Sequence, residues 1–94
     1  MIIQFIKLHS DLPEEELLKR AHERAPRFRE IKGLVQKYYV KLGDNRYGGF
    51  YIWDSPESLM AFRESELAAS IPQAYEIKEA PEVDLLNVMF KLRE

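Results

Sequence analysis

Lys37 is the residue of this chain best placed to do acid–base chemistry, because it stands among apolar and aromatic neighbours in the run Leu34-Val-Gln-Lys-Tyr-Tyr-Val40. An amine on a covered face can act as a base, or stabilise an enolate or carboxylate, since desolvation disfavours its charged form. The commoner fate of an edge-strand lysine is to reach into water and blunt the edge. His9 closes the first apolar run, a rim position suited to a general base, although a lone strand-end histidine is more often simply exposed. Tyr38, Tyr51 and Trp53 belong to a segment, with Tyr39, Tyr47 and Phe50, that carries more than half of the chain's aromatic residues. Such rings offer flat walls to a planar substrate and hydroxyls as handles; ordinary packing is the competing reading of each one.

Gly48 and Gly49 lie inside a strand-like run, where glycine costs stability. They either open floor space for a ligand between Tyr47 and Tyr51 or mark a bulge that curls the sheet. Asn87 interrupts the last apolar run and offers hydrogen bonds to a substrate, or is a satisfied core or edge asparagine. Arg63 either closes a pocket or pairs with Glu57 or Glu66 on a helix surface. His22, between charged residues, reads as a surface group. There is no cysteine, no His-x-His and no carboxylate–histidine spacing of a ligand set, so no metal site is expected. No glycine-rich loop follows a strand and opens a helix, so a nucleotide cofactor has no cradle.

Those side chains need elements to position them. Residues 2–9 are apolar on both faces and predict a central strand. Asp11, Pro13 and Glu14 predict a helix start, with Leu17, Ala21, Ala25 and Phe28 as its buried stripe and Pro26 as a kink or end. Residues 34–42 and 47–53 predict a hairpin around Gly43-Asp44-Asn45, with Leu42 facing Tyr47 and Tyr38 facing Tyr51. Asp54-Ser-Pro-Glu57 repeats the first cap, and Leu59, Phe62, Arg63 and Leu67 continue as a second amphipathic helix, with Ala68-Ala69 leading into a short last turn near Pro72. Residues 76–82 predict a loop or an edge, and residues 83–92 a long closing strand.

The order is β-α-β-β-α-β over a single domain, residues 1–94: an α+β, ferredoxin-like sandwich with an antiparallel sheet and both helices on one face. The bare face is also apolar, and an exposed patch of that size is rarely left in water. A homodimer, sheet against sheet, is therefore expected. A chain of 94 residues without disulfides also gains from association. Net charge is −2 with no basic block, which speaks against nucleic-acid partners and anionic membranes. The apolar start is broken at Gln4 and Lys7, too short for a membrane span or signal core, and a cytoplasmic location is the expectation.

The segments Gly33-Leu-Val-Gln-Lys37, Tyr47-Gly-Gly-Phe-Tyr-Ile-Trp-Asp-Ser-Pro-Glu57 and Ala61-Phe-Arg63 resemble the YdhR-type monooxygenases of the dimeric α+β barrel superfamily, relatives of the antibiotic-biosynthesis monooxygenases. The resemblance follows the element order over roughly residues 1–92. It implies a homodimer whose two sheets form a barrel, a cavity between sheet and helices, and a small-molecule substrate. Haem-degrading relatives need a histidine near the end of the second helix; this chain has Ser70-Ile-Pro-Gln73 there, so haem is not expected. With no cofactor, oxygenase chemistry requires an electron-rich substrate such as a hydroquinone or anthrone, whose deprotonated form passes an electron to oxygen directly. The protein supplies a base, an oxyanion partner and dry walls. A ligand-binding barrel without catalysis is the alternative. Arg46-Tyr-Gly-Gly-Phe-Tyr-Ile-Trp53 also echoes an RNA-recognition strand, but Tyr47 and Gly48 depart from its pattern and the charge has the wrong sign.

Overall fold

In a computed structural model, which describes residues 1–93, the chain forms β1 (Ile2–His9), α1 (Glu14–Arg29), β2 (Leu34–Gly43), β3 (Arg46–Trp53), α2 (Pro56–Arg63), α3 (Glu66–Ala69), α4 (Ile71–Ala74) and β4 (Glu82–Asn87). The sheet runs β2-β3-β1-β4 and every pairing is antiparallel. The ferredoxin-like order and the central position of β1 are as the apolar pattern predicts. One face of the sheet carries the core. Ile6, Tyr47, Tyr51 and Trp53 meet Leu17, Ala21 and Phe28 of α1 and Leu59, Phe62, Leu67 and Ile71 of the short helices.

The helix starts differ from expectation. The cap position of α1 is Pro13, without a side-chain hydrogen bond, and Asp11 instead pairs with Lys78 at 2.9 Å and His9 at 3.3 Å. At α2 the cap is Ser55, whose oxygen accepts from the Ser58 amide at 3.2 Å, with Pro56 in the first turn. Asp54 accepts from the Ser58 hydroxyl. Pro26 sits inside α1 without ending it, and Ala25 is only half-buried. The predicted second helix is three short ones. Ser65 donates to the Phe62 carbonyl at 2.6 Å and accepts from the Ala68 amide, so its side chain replaces backbone bonds and restarts the helix.

The decisive departure is in the hairpin register. Gly43 faces Arg46 around the Asp44-Asn45 turn, as the predicted pairing requires, and Asn45 takes a positive φ of 60°. An irregularity between Lys41 and Gly43 then leaves Leu42 unpaired, so Lys41, not Leu42, faces Tyr47. One extra residue shifts the rest by one and exchanges the two faces of β2. Lys37 now opposes Tyr51 and Tyr39 opposes Gly49, on the helix side, while Tyr38 opposes Phe50 on the open side. Pairing runs unbroken through Gly48 and Gly49, so the bulges lie in β2 and not at the glycines.

β4 is shorter than predicted and ends at Asn87, opposite Ile2. β1 runs out there; the amide of Val88 donating to the Met1 carbonyl at 3.1 Å is the last rung. Met89, Phe90 and Leu92 beyond it are exposed. The open face of the sheet presents Ile3, Phe5, Tyr38, Phe50, Ile52 and Leu86, with a Lys7–Asp84 ion pair of 2.8 Å beside them. Phe5 and Phe50 meet edge to face with centroids 5.4 Å apart.

Candidate active site

A cavity of about 240 Å³ lies between the sheet and α1, closed at one end by Ile71 and Tyr75. Its floor is glycine. A Cβ on Gly49 would stand 2.7 Å from Cε1 of Tyr51 and 3.3 Å from Cε of Lys37, and one on Gly48 would strike Phe5 and the Ile6 carbonyl. A side chain at Gly49 would thus crowd Tyr51 and Lys37 at the cavity, while the bare Gly48 lets β1 and β3 approach.

Lys37 enters this cavity by way of the Leu42 bulge. Its Nζ lies 3.5 Å from the ring centroid of Phe28, 4.3 Å from that of Tyr39 and 4.5 Å from that of Tyr51. Among the described residues no carboxylate pairs with it. Burial pushes its ammonium down to about 7, and the Arg24 guanidinium adds to the push. The ring faces attract the cation and work the other way. An amine with such surroundings exists in both protonation states near neutral pH, which suits proton transfer. The snorkelling expected of an edge-strand lysine does not occur.

Burial also raises the phenols of Tyr51, Tyr39 and Tyr75, so each stays a hydrogen-bond donor at neutral pH. Tyr51 is 2% exposed and stacks on Trp53, centroids 6.0 Å apart and planes within 4°. Trp53 is 0% exposed and donates from Nε1 to Oε1 of buried Gln4 at 3.0 Å. It is core that braces Tyr51, and it does not line the cavity. At the mouth, Glu14 and Lys41 form an ion pair of 2.8 Å.

Of the residues singled out above, Lys37, Tyr51 and Gly49 come together here. Tyr38 is on the open face, 54% exposed. His9 shares that face and bonds Glu79 at 3.1 Å and Asp11 at 3.3 Å. Asn87 is exposed at the end of β4. Arg63 is exposed, donates weakly to Sδ of Met60 and borders a separate groove that also takes in Gln4, Pro72 and Leu85. Tyr39, one of the six rings of the aromatic segment, lines the cavity as well, and Arg24 and Tyr75 join the surroundings of Lys37 without having been singled out in the sequence. The first shares the face of Lys37 by the period of two, and Arg24 falls three after Ala21 and four before Phe28, inside the apolar stripe. Nothing in the sequence marks Tyr75.

No protein-family model matches the sequence, and no curated protein does. Solved structures match over nearly the whole chain. A putative antibiotic biosynthesis monooxygenase from Deinococcus radiodurans superposes with a TM-score of 0.76 at 12% identity, covering 100% of this chain and 98% of that one. SnoaB, a cofactor-independent oxygenase from Streptomyces nogalater, gives 0.77 at 14%, covering 99% and 97%. A protein of unknown function from Nitrosomonas europaea gives 0.80 at 16%, covering 99% and 93%. The chain thus has the ferredoxin-like fold of the antibiotic-biosynthesis-monooxygenase structures.

Proposed function

We propose that this protein is a cofactor-independent monooxygenase, working as a homodimer on a small aromatic or quinol-like substrate held between the sheet and α1. The observation that carries the reading is the amine of Lys37, caged by three rings on the wall of an apolar cavity. Its neutral form takes a proton from the substrate. The resulting electron-rich anion passes an electron to dioxygen, and the two radicals combine. An activated CH₂ then becomes C=O, or a quinol's ring C–H becomes C–OH as the ring is oxidised to the quinone, one oxygen atom entering the product and the other leaving as water, with all electrons supplied by the substrate. The Tyr39 and Tyr51 rings flank the substrate, and a tyrosine hydroxyl of the cavity wall donates to the developing oxyanion. The apolar walls keep water from the anion. SnoaB, of like fold, is named a cofactor-independent oxygenase, which supports the choice of reaction.

The homodimer follows from the open face. Ile3, Phe5, Phe50 and Ile52 form an apolar centre on a face that no helix among the described residues covers. The test is isotopic: metal-free protein with a panel of quinols and anthrones under ¹⁸O₂. One labelled atom in the product and one in water is the expected result. No turnover above background overturns the oxygenase; ligand binding without turnover then favours a non-catalytic binding protein of the same fold.

A further inference from the structure

Tyr75, just after α4, is 7% exposed and lines the Lys37 cavity, yet its buried hydroxyl has no hydrogen-bond partner among the described residues. A buried, unsatisfied phenol costs free energy unless something supplies an acceptor. Beside it lies the Arg24 guanidinium, with its carbon 5.6 Å from the Tyr75 ring centroid. Arg24 donates to Oγ of Ser70 at 3.1 Å and to the Leu67 carbonyl at 3.4 Å, both neutral, and its Nε is buried without a partner. Lys37 on the cavity wall and Arg24 beside Tyr75 are thus two cations without a described carboxylate partner. Among the described residues the only acidic side chain on the cavity wall, Glu14, is engaged by Lys41 at the mouth.

An orphaned donor, two uncompensated cations and ring walls are complementary to negative charge on an aromatic frame. Size sharpens this. A cavity of about 150 Å³ accommodates benzene, so about 240 Å³ has ample room for one substituted ring. We propose that the cavity binds a single-ring aromatic anion, its charged oxygen held between the Tyr75 hydroxyl and the Lys37 ammonium and its ring against Tyr39 and Tyr51. The inference rests on the reading above for the place of binding and requires no oxygen chemistry. A preformed anion imitates the ion pair that proton transfer to Lys37 would create.

Calorimetric titration at about pH 6.5, where carboxylates are ionised and ammonium groups protonated, tests it with two anions and their neutral counterparts: benzoate against benzamide, and 2,4-dinitrophenolate against 1,3-dinitrobenzene. At least one anion binds about tenfold more tightly than its counterpart, and the preferred pair reports whether carboxylate or phenolate is favoured. Tyr75→Phe, which keeps the ring and is checked for native amide spectra, weakens that anion about tenfold, the loss expected of a hydrogen bond to a charged group. Lys37→Met abolishes the preference. Anions binding no better than neutral rings, no binding of any probe, or an unaltered Tyr75→Phe variant would each overturn the proposal. Loss of the anion preference with intact oxygen uptake strikes this inference alone; anion preference without turnover strikes the oxygenase alone.

Discussion

Gly49→Ala tests the cavity floor. The new methyl would stand 2.7 Å from Cε1 of Tyr51, a contact that something must relieve. Tyr51 cannot yield: its ring is buried between Phe28, Phe62 and the stacked Trp53. Lys37 can, since its Cε is 3.3 Å away on a flexible stem, but only by leaving its ring cage. Replacing a strand glycine gains about 0.5–1 kcal/mol in backbone entropy, whereas overpacking costs about 1–3 kcal/mol. The net is a loss centred on about 1.25 kcal/mol, or roughly 5–10 °C in Tm for a domain of this size. Gly43→Ala is the control, because a Cβ there meets nothing within 4 Å. Thermal unfolding followed by circular dichroism reads both variants. If Gly49→Ala proved as stable as Gly43→Ala, the cavity floor would not be packed as described.

Three further outcomes follow from the same geometry. The native protein releases the Lys37 proton at about 7 and the unfolded chain near 10.5, so the unfolded state holds more protons in between and stability rises with pH across that window. Urea unfolding should therefore show wild type gaining on Lys37→Met by up to about 1.4 kcal/mol per pH unit, and a constant difference would refute it. Phe50→Asp puts a charge at the centre of the open face, and sedimentation should show the homodimer reduced to monomers while the monomer stays folded; a wild type that is itself monomeric at micromolar concentration contradicts the dimer. His9→Ala removes a side chain tied to Glu79 and Asp11 on the open face, so quinol turnover should persist within about twofold, the change expected away from the reacting atoms.

The order of elements was legible because β1 is apolar on both faces and Gly43-Asp-Asn45 marks a turn. Which side chains share the cavity was not, because a single unpaired residue, Leu42, decides it. Adjacent strand residues cannot line one face, so Lys37 and Tyr38 were incompatible as partners, and period alone could not choose between them. Bulges leave little trace in composition. Tyr75 was invisible for another reason: it reaches the cavity through three short helices whose breaks depend on the hydrogen bonds of Ser65 and Ser70. Helical period over residues 59–72 does place Leu59, Phe62 and Leu67 correctly in the core.

The proposed proton transfer depends on an amine that is neutral part of the time at physiological pH. Nuclear magnetic resonance of the lysine ε-carbons, with Lys37→Met to assign the signal, follows that proton directly. A midpoint at about 7 is the predicted result. A midpoint at the ordinary value of 10.5 would contradict it, leaving Lys37 a solvated cation with no part in proton transfer.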